Sequence, residues 1–161
     1  MSKAMRLRLP FIVLVVLAIG AAPGAAPASP PAAVSGSYVY TDSWSESFRS
    51  AGGDAIIELH ATVEYTGTFT GTSTVHGKLV AHADGSANFH DVEVFTGTVN
   101  GVPGTVTFNL TGSNDSALDV KITSTIVSAT GGLKGLHGVL RLAGTVHIPE
   151  GPVGTYSGQI G

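Results

Sequence analysis

The chain has 161 residues and no cysteine, and its eight basic and eleven acidic side chains give a formal net charge of −3. Without cysteine there is no disulfide framework, no thiol nucleophile and no lipidated N-terminal cysteine. The acidic balance argues against a nucleic-acid partner, because a protein that tracks phosphates needs a basic face.

Lys3, Arg6 and Arg8 lead into the apolar run LPFIVLVVLAIG. That run is short for a bilayer span of about 20 residues. It matches the charged n-region and apolar h-region of a secretory signal peptide. Ala26-Pro27-Ala28 has the A-x-A form, whereas cuts after Ala22 or Ala26 would put a proline just beyond the scissile bond, where a ring-locked residue without an N–H fits a peptidase poorly. Cleavage is therefore expected after Ala28 (residues 1–28 forming the signal peptide), delivering an extracellular, periplasmic or cell-wall protein with no stable membrane insertion. Removing 28 residues leaves 133 of the 161, with five basic and eleven acidic side chains and a net charge near −6. Residues 29–34 read as a Pro/Ala linker and residues 35–161 as one domain, long enough to bury a single core.

Beyond the linker, apolar and polar residues alternate with period two, no stretch carries a capped 3.6-residue period, and glycine and threonine abound. This is an all-β pattern. Strands are expected near Ser37–Trp44, Ala55–Tyr65, Thr72–Ala83, Ala87–Thr98, Gly104–Thr111, Ala117–Val127, Val139–Ile148 and Thr155–Ile160, the count and spacing of a sandwich or barrel. In AIIELHATVEY, Ile57, Leu59, Ala61, Val63 and Tyr65 share one face. In SALDVKITSTIV, Leu118, Val120, Ile122 and Ile126 do so. Asp84-Gly85 and Asn100-Gly101 are hairpin signals, because type I′ turns require positive φ at both central residues.

The segment GGLKGLHG, Gly131 to Gly138, has four glycines in eight residues. Its spacing matches neither nucleotide-loop pattern, and no helix follows whose N-terminus could hold phosphate. Leu133 and Leu136 are three apart, which suits a single tight turn tucking both leucines inward between glycine hinges. We read it as structural, closing one end of a barrel.

Three stretches, SGSYVYTDSWSE, DGSANFHDVEVFTGTVNGVPGTVTF and TIVSATGGLKGLHGVLRLAGTV with GTYSG, resemble a family of small secreted bacterial proteins of unknown function related to allene oxide cyclase and dirigent-type barrels. The resemblance spans about Ser35 to Ile160 and implies a closed, eight-stranded antiparallel barrel of the calycin type. Enzymes of that wider group steer ring closure or radical coupling of apolar substrates inside the barrel. The family itself brings no active site to carry over. An eight-stranded barrel is just wide enough either to fill itself with side chains or to hold one small molecule.

Motifs for hydrolytic and metal chemistry are absent: there is no G-x-S-x-G and no H-E-x-x-H. Glu58 and His60 point the same way on one strand, an acceptable start to a metal site. Against it, the histidines are spread along the chain, so they read as a hydrated outer face, with neither a metal nor an organic cofactor expected. The segment NFHDVEVF is more pointed. Phe89, Asp91, Glu93 and Phe95 share one face, and His90, Val92 and Val94 the other. With the aromatic face inward, Glu93 would sit in an apolar lumen with a raised pKa, able to act as general acid or base. With the aliphatic face inward, it would be a solvated surface residue, and the balance leans that way. Tyr40, Trp44, Phe89, Phe95 and Tyr156 are the candidate ligand walls and Glu93 the candidate proton-handling group. Binding of a small apolar or amphipathic molecule is the leading expectation. A cofactor-independent isomerase or cyclase comes second, and a structural or surface-interaction protein with a filled barrel third, with oligomerisation open.

Overall fold

The computed structural model describes residues 30–161; the expected signal peptide lies outside them. Eight strands follow in chain order: β1 (Ala32–Ala51), β2 (Asp54–Gly67), β3 (Phe69–Ala81), β4 (Ala87–Val99), β5 (Val102–Asn114), β6 (Asp119–Gly131), β7 (Gly138–His147) and β8 (Gly151–Ile160). Each pairs antiparallel with its neighbours, and β1 pairs with β8, closing the ring. The fold is thus an all-β, eight-stranded antiparallel barrel, and closure leaves no edge strand to attract another chain.

Most strands run longer than their alternation suggested. β1 begins inside the segment expected to be a linker: Ala32 pairs with Ile160, and Val34 is buried. The last strand needs that partner to complete its backbone hydrogen bonds, so Ala32–Val34 are held in the sheet. Glycine-turn logic holds at Asn100-Gly101, where both residues have positive φ (51° and 81°). It fails at Asp84-Gly85, where Gly85 alone has positive φ. There Asp84 Oδ1 accepts hydrogen bonds from the Ser86 backbone N–H and hydroxyl at 2.9 and 2.7 Å, making an Asx turn in a five-residue loop. Leu118, expected on the inward face of a strand, lies just before β6 at φ 68°.

One end of the barrel is sealed. Gly131 and Gly135 take positive φ, and the Leu136 N–H reaches Leu133 carbonyl at 2.9 Å. This turns the segment back on itself and brings Leu133 and Leu136 onto the core. Above them the lumen is filled by Tyr65, Phe69, Phe95, Phe108 and Tyr156, whose rings meet mostly edge to face at centroid distances of 5.4–5.9 Å. Such contacts add roughly 1 kcal/mol each to area burial. Tyr156 is a satisfied core tyrosine: its hydroxyl accepts from Phe69 N–H at 2.8 Å and donates to Thr66 carbonyl at 3.1 Å.

Candidate functional site

The opposite end is not filled in this way. Beside the loops joining β3–β4, β5–β6 and β7–β8 lies a mouth cavity of about 370 Å³, within the size range of small-molecule sites. Its walls are mainly apolar, among them Leu59, Leu79, Phe89 and Val146, with Tyr40, Ser43, Asp91, Asn114 and His147 as polar groups. Among the described residues lining it, Asp91 is the single carboxylate. Leu118, held at positive φ, stands at its rim; a bulky residue there stores strain of roughly 1–3 kcal/mol, a feature that concentrates at functional sites.

The structure decides the orientation of β4 against the balance of the sequence reading. Asp91, Glu93 and Phe95 are buried at 4, 0 and 0 % exposure, while Val92 and Val94 are exposed. The reason lies in the neighbouring strands. Glu93 is registered between Val75 of β3 and Phe108 of β5, both core residues, so the aliphatic face cannot turn inward without expelling those side chains as well.

Asp91 has a place made for it. Opposite it on β3 is Gly77, and a side chain at that position would run into the Asp91 carboxylate and its Cα. Asp91 Oδ1 is buried without a hydrogen-bond partner. Desolvation raises its pKa to about 6, against a smaller lowering by His90. Glu93 lies deeper and does not line the cavity. Its Oε2 accepts from the Tyr65 hydroxyl at 3.2 Å, and its Oε1 is unpartnered. Desolvation raises it to about 7, with lesser lowering from the Ser73 and Tyr65 hydroxyls; Ser73 Oγ is close but outside good hydrogen-bond geometry. Burial and the two carboxyls together push the Tyr40 hydroxyl well above 10.

Of the candidate site residues, Tyr40 and Phe89 line the cavity, joined by Asp91, which the sequence had placed only as a face-mate of Glu93. Phe95 and Tyr156 belong to the packed half. Trp44 is displaced altogether. The register of β1 on β2 skips Thr41, a β-bulge that reverses the parity from Asp42 to Ser45, so Trp44 lies outside at 50 % exposure instead of continuing the face of Tyr38 and Tyr40.

A family model described as a protein of unknown function (DUF3224) matches residues 34–148. A crystal structure of a protein of unknown function from that family, from Shewanella oneidensis MR-1, is similar in fold at 18% sequence identity, with a TM-score of 0.61. The match covers 82% of this chain and 98% of that one. No curated protein matches the sequence.

Proposed function

The chain belongs to the DUF3224 family, a membership that carries a fold without an activity, and we propose that it is an exported barrel that binds a small, mainly apolar molecule in its mouth. One observation carries this reading: a cavity of about 370 Å³ with apolar walls lies over a buried, unpartnered carboxyl oxygen, Asp91 Oδ1. Apolar walls supply affinity by shape and area, and a few polar groups, Asp91 the one charged carboxyl among them, supply orientation. A ligand hydroxyl or amine donating to Asp91 would satisfy an atom that otherwise costs about 1–3 kcal/mol to bury. The basic, apolar N-terminus supports export.

A second reading is favoured by the two carboxyls. Groups raised to about 6 and about 7 are poised for proton transfer near neutral pH, as a cofactor-independent isomerase or cyclase of the allene oxide cyclase-like kind would need. In that case Asp91, which lines the cavity, would move the proton between substrate atoms.

Native and denaturing mass spectrometry of the protein recovered from an expressing host tests the binding proposal. The expected result is an added mass that vanishes on denaturation and is missing from Ala81→Trp, which fills the mouth. Wild-type protein that carries no added mass and also fails to take up anilinonaphthalene sulfonate would overturn it.

A further inference from the structure

The outer wall of the barrel carries an arrangement unrelated to the mouth. His60 of β2 and His76 of β3 are directly opposite each other in the antiparallel register, and their rings stack at 4.4 Å. Trp44 covers the other side of His60, its ring at 5.3 Å and 9° from parallel. A second bulge in β1 falls between Ser45 and Ser47, leaving Glu46 as the extra residue. Freed from the pairing, Glu46 reaches His60, with Oε2 at 2.8 Å from Nε2. One donor atom from each of Glu46, His60 and His76 lies within 4.8 Å of the others. Glu58, the carboxylate that shares a strand face with His60, turns instead to Lys78 at 3.4 Å and Ser47 at 3.1 Å.

We propose that Glu46, His60 and His76 form a binding site for a divalent transition cation, zinc or copper, on the outer face of the barrel. Two imidazoles and one carboxylate are a recognised donor set for zinc that leaves a fourth position to water or substrate, and imidazole equally suits copper, the tighter-binding of the two ions. Donors on one tetrahedral zinc, at bonds of about 2.1 Å, stand about 3.4 Å apart. Closing the remaining gap requires the stacked imidazoles to splay so that their in-plane lone pairs converge, a movement open to the exposed His76 and Glu46 side chains on adjacent strands. Trp44 fixes the His60 ring from behind, the orienting role that an outer shell plays for a metal ligand.

Trp44 is the chain's one tryptophan, so it reports on this site. The full chain, purified without a histidine tag and stripped with chelator, is titrated with copper by tryptophan fluorescence and with zinc by calorimetry. The expected result is quenching that saturates at one equivalent, and a matching one-to-one zinc isotherm. His60→Ala and His76→Ala should each abolish both, and Glu46→Gln should weaken zinc by at least about tenfold, the lower range seen for outer-shell partners. His137→Ala, which retains every proposed ligand, should bind normally. Circular dichroism confirms that each variant is folded, and a folded Glu46→Gln keeps the test decisive should a histidine variant fail. Absence of one-equivalent binding in the wild type, unaltered affinity in folded His76→Ala or Glu46→Gln, or loss in His137→Ala would each overturn the proposal.

Discussion

Glu93→Gln is the substitution that speaks most directly to the interior. In the folded chain this carboxyl is raised from its ordinary 4.5 to about 7 by burial. The native state therefore holds a proton that the unfolded state releases between about pH 4.5 and 7, and stability falls as pH rises through that window, levelling above it. A shift of this size corresponds to about 3 kcal/mol at pH 8, and to almost nothing at pH 4. Glutamine keeps the shape and an acceptor for the Tyr65 hydroxyl but does not ionise. Its amide nitrogen brings an offset of about 1–3 kcal/mol if unpaired, independent of pH. The informative quantity is therefore the difference between wild type and variant as a function of pH. Urea unfolding at pH 4, 6 and 8 should show that difference moving by about 3 kcal/mol in the variant's favour, or roughly 10 °C in Tm for a domain of this size. Asp91 titrates in both proteins and cancels to first order. A difference constant across that range would refute the assignment of a buried, titrating Glu93.

Gly77→Ala should destabilise by at least about 3 kcal/mol, because the new methyl meets the Asp91 carboxylate and backbone and overpacking against backbone cannot relax; the urea midpoint reads this. Gly77→Ala with Asp91→Ala should recover part of the loss, and failure to do so would mean the backbone contact dominates. Tyr156→Phe should cost about 1–3 kcal/mol by leaving the buried Phe69 N–H without its acceptor, again measured by urea. Leu133→Ala should cost about 2–4 kcal/mol at the sealed end while leaving uptake of a mouth ligand unchanged, so a binding defect in a folded variant would contradict the separation of the two ends.

Much of the barrel was legible because its physics is local. Alternation placed all eight strands, and GGLKGLHG carried its own explanation in two leucines three residues apart. What escaped depends on pairing across strands. The bulges at Thr41 and Glu46 leave no signature within β1 itself, yet one sends Trp44 outside and the other delivers Glu46 to His60. Likewise, the partner of His60 is the residue opposite, His76, sixteen positions along the chain, and no spacing rule within one strand would select it. In β4 the carboxylates made the true core face look polar. Only the neighbours Val75 and Phe108 settle which way it turns.

The polar groups of the lumen have an asymmetry that bears on function. Tyr156, among the packed rings, has every hydrogen bond satisfied, whereas Asp91 Oδ1, Glu93 Oε1, Ser73 Oγ, Tyr38 Oη and Ser124 Oγ are buried without protein partners. A barrel selected only to fold would do better with leucine or valine at positions 91 and 93, since replacing buried charge by packed hydrocarbon is often stabilising by about 1–4 kcal/mol. This chain has no disulfide to offset such a loss, and it spends a glycine at position 77 to make room for one of the two carboxyls. Destabilising groups kept together beneath a cavity are better explained by what enters the cavity than by the fold. On the proposed reading the site is the Asp91 end of the lumen, and Asp91→Asn is the variant in which binding and stability should move in opposite directions: tighter folding at pH 8, weaker retention of a mouth ligand.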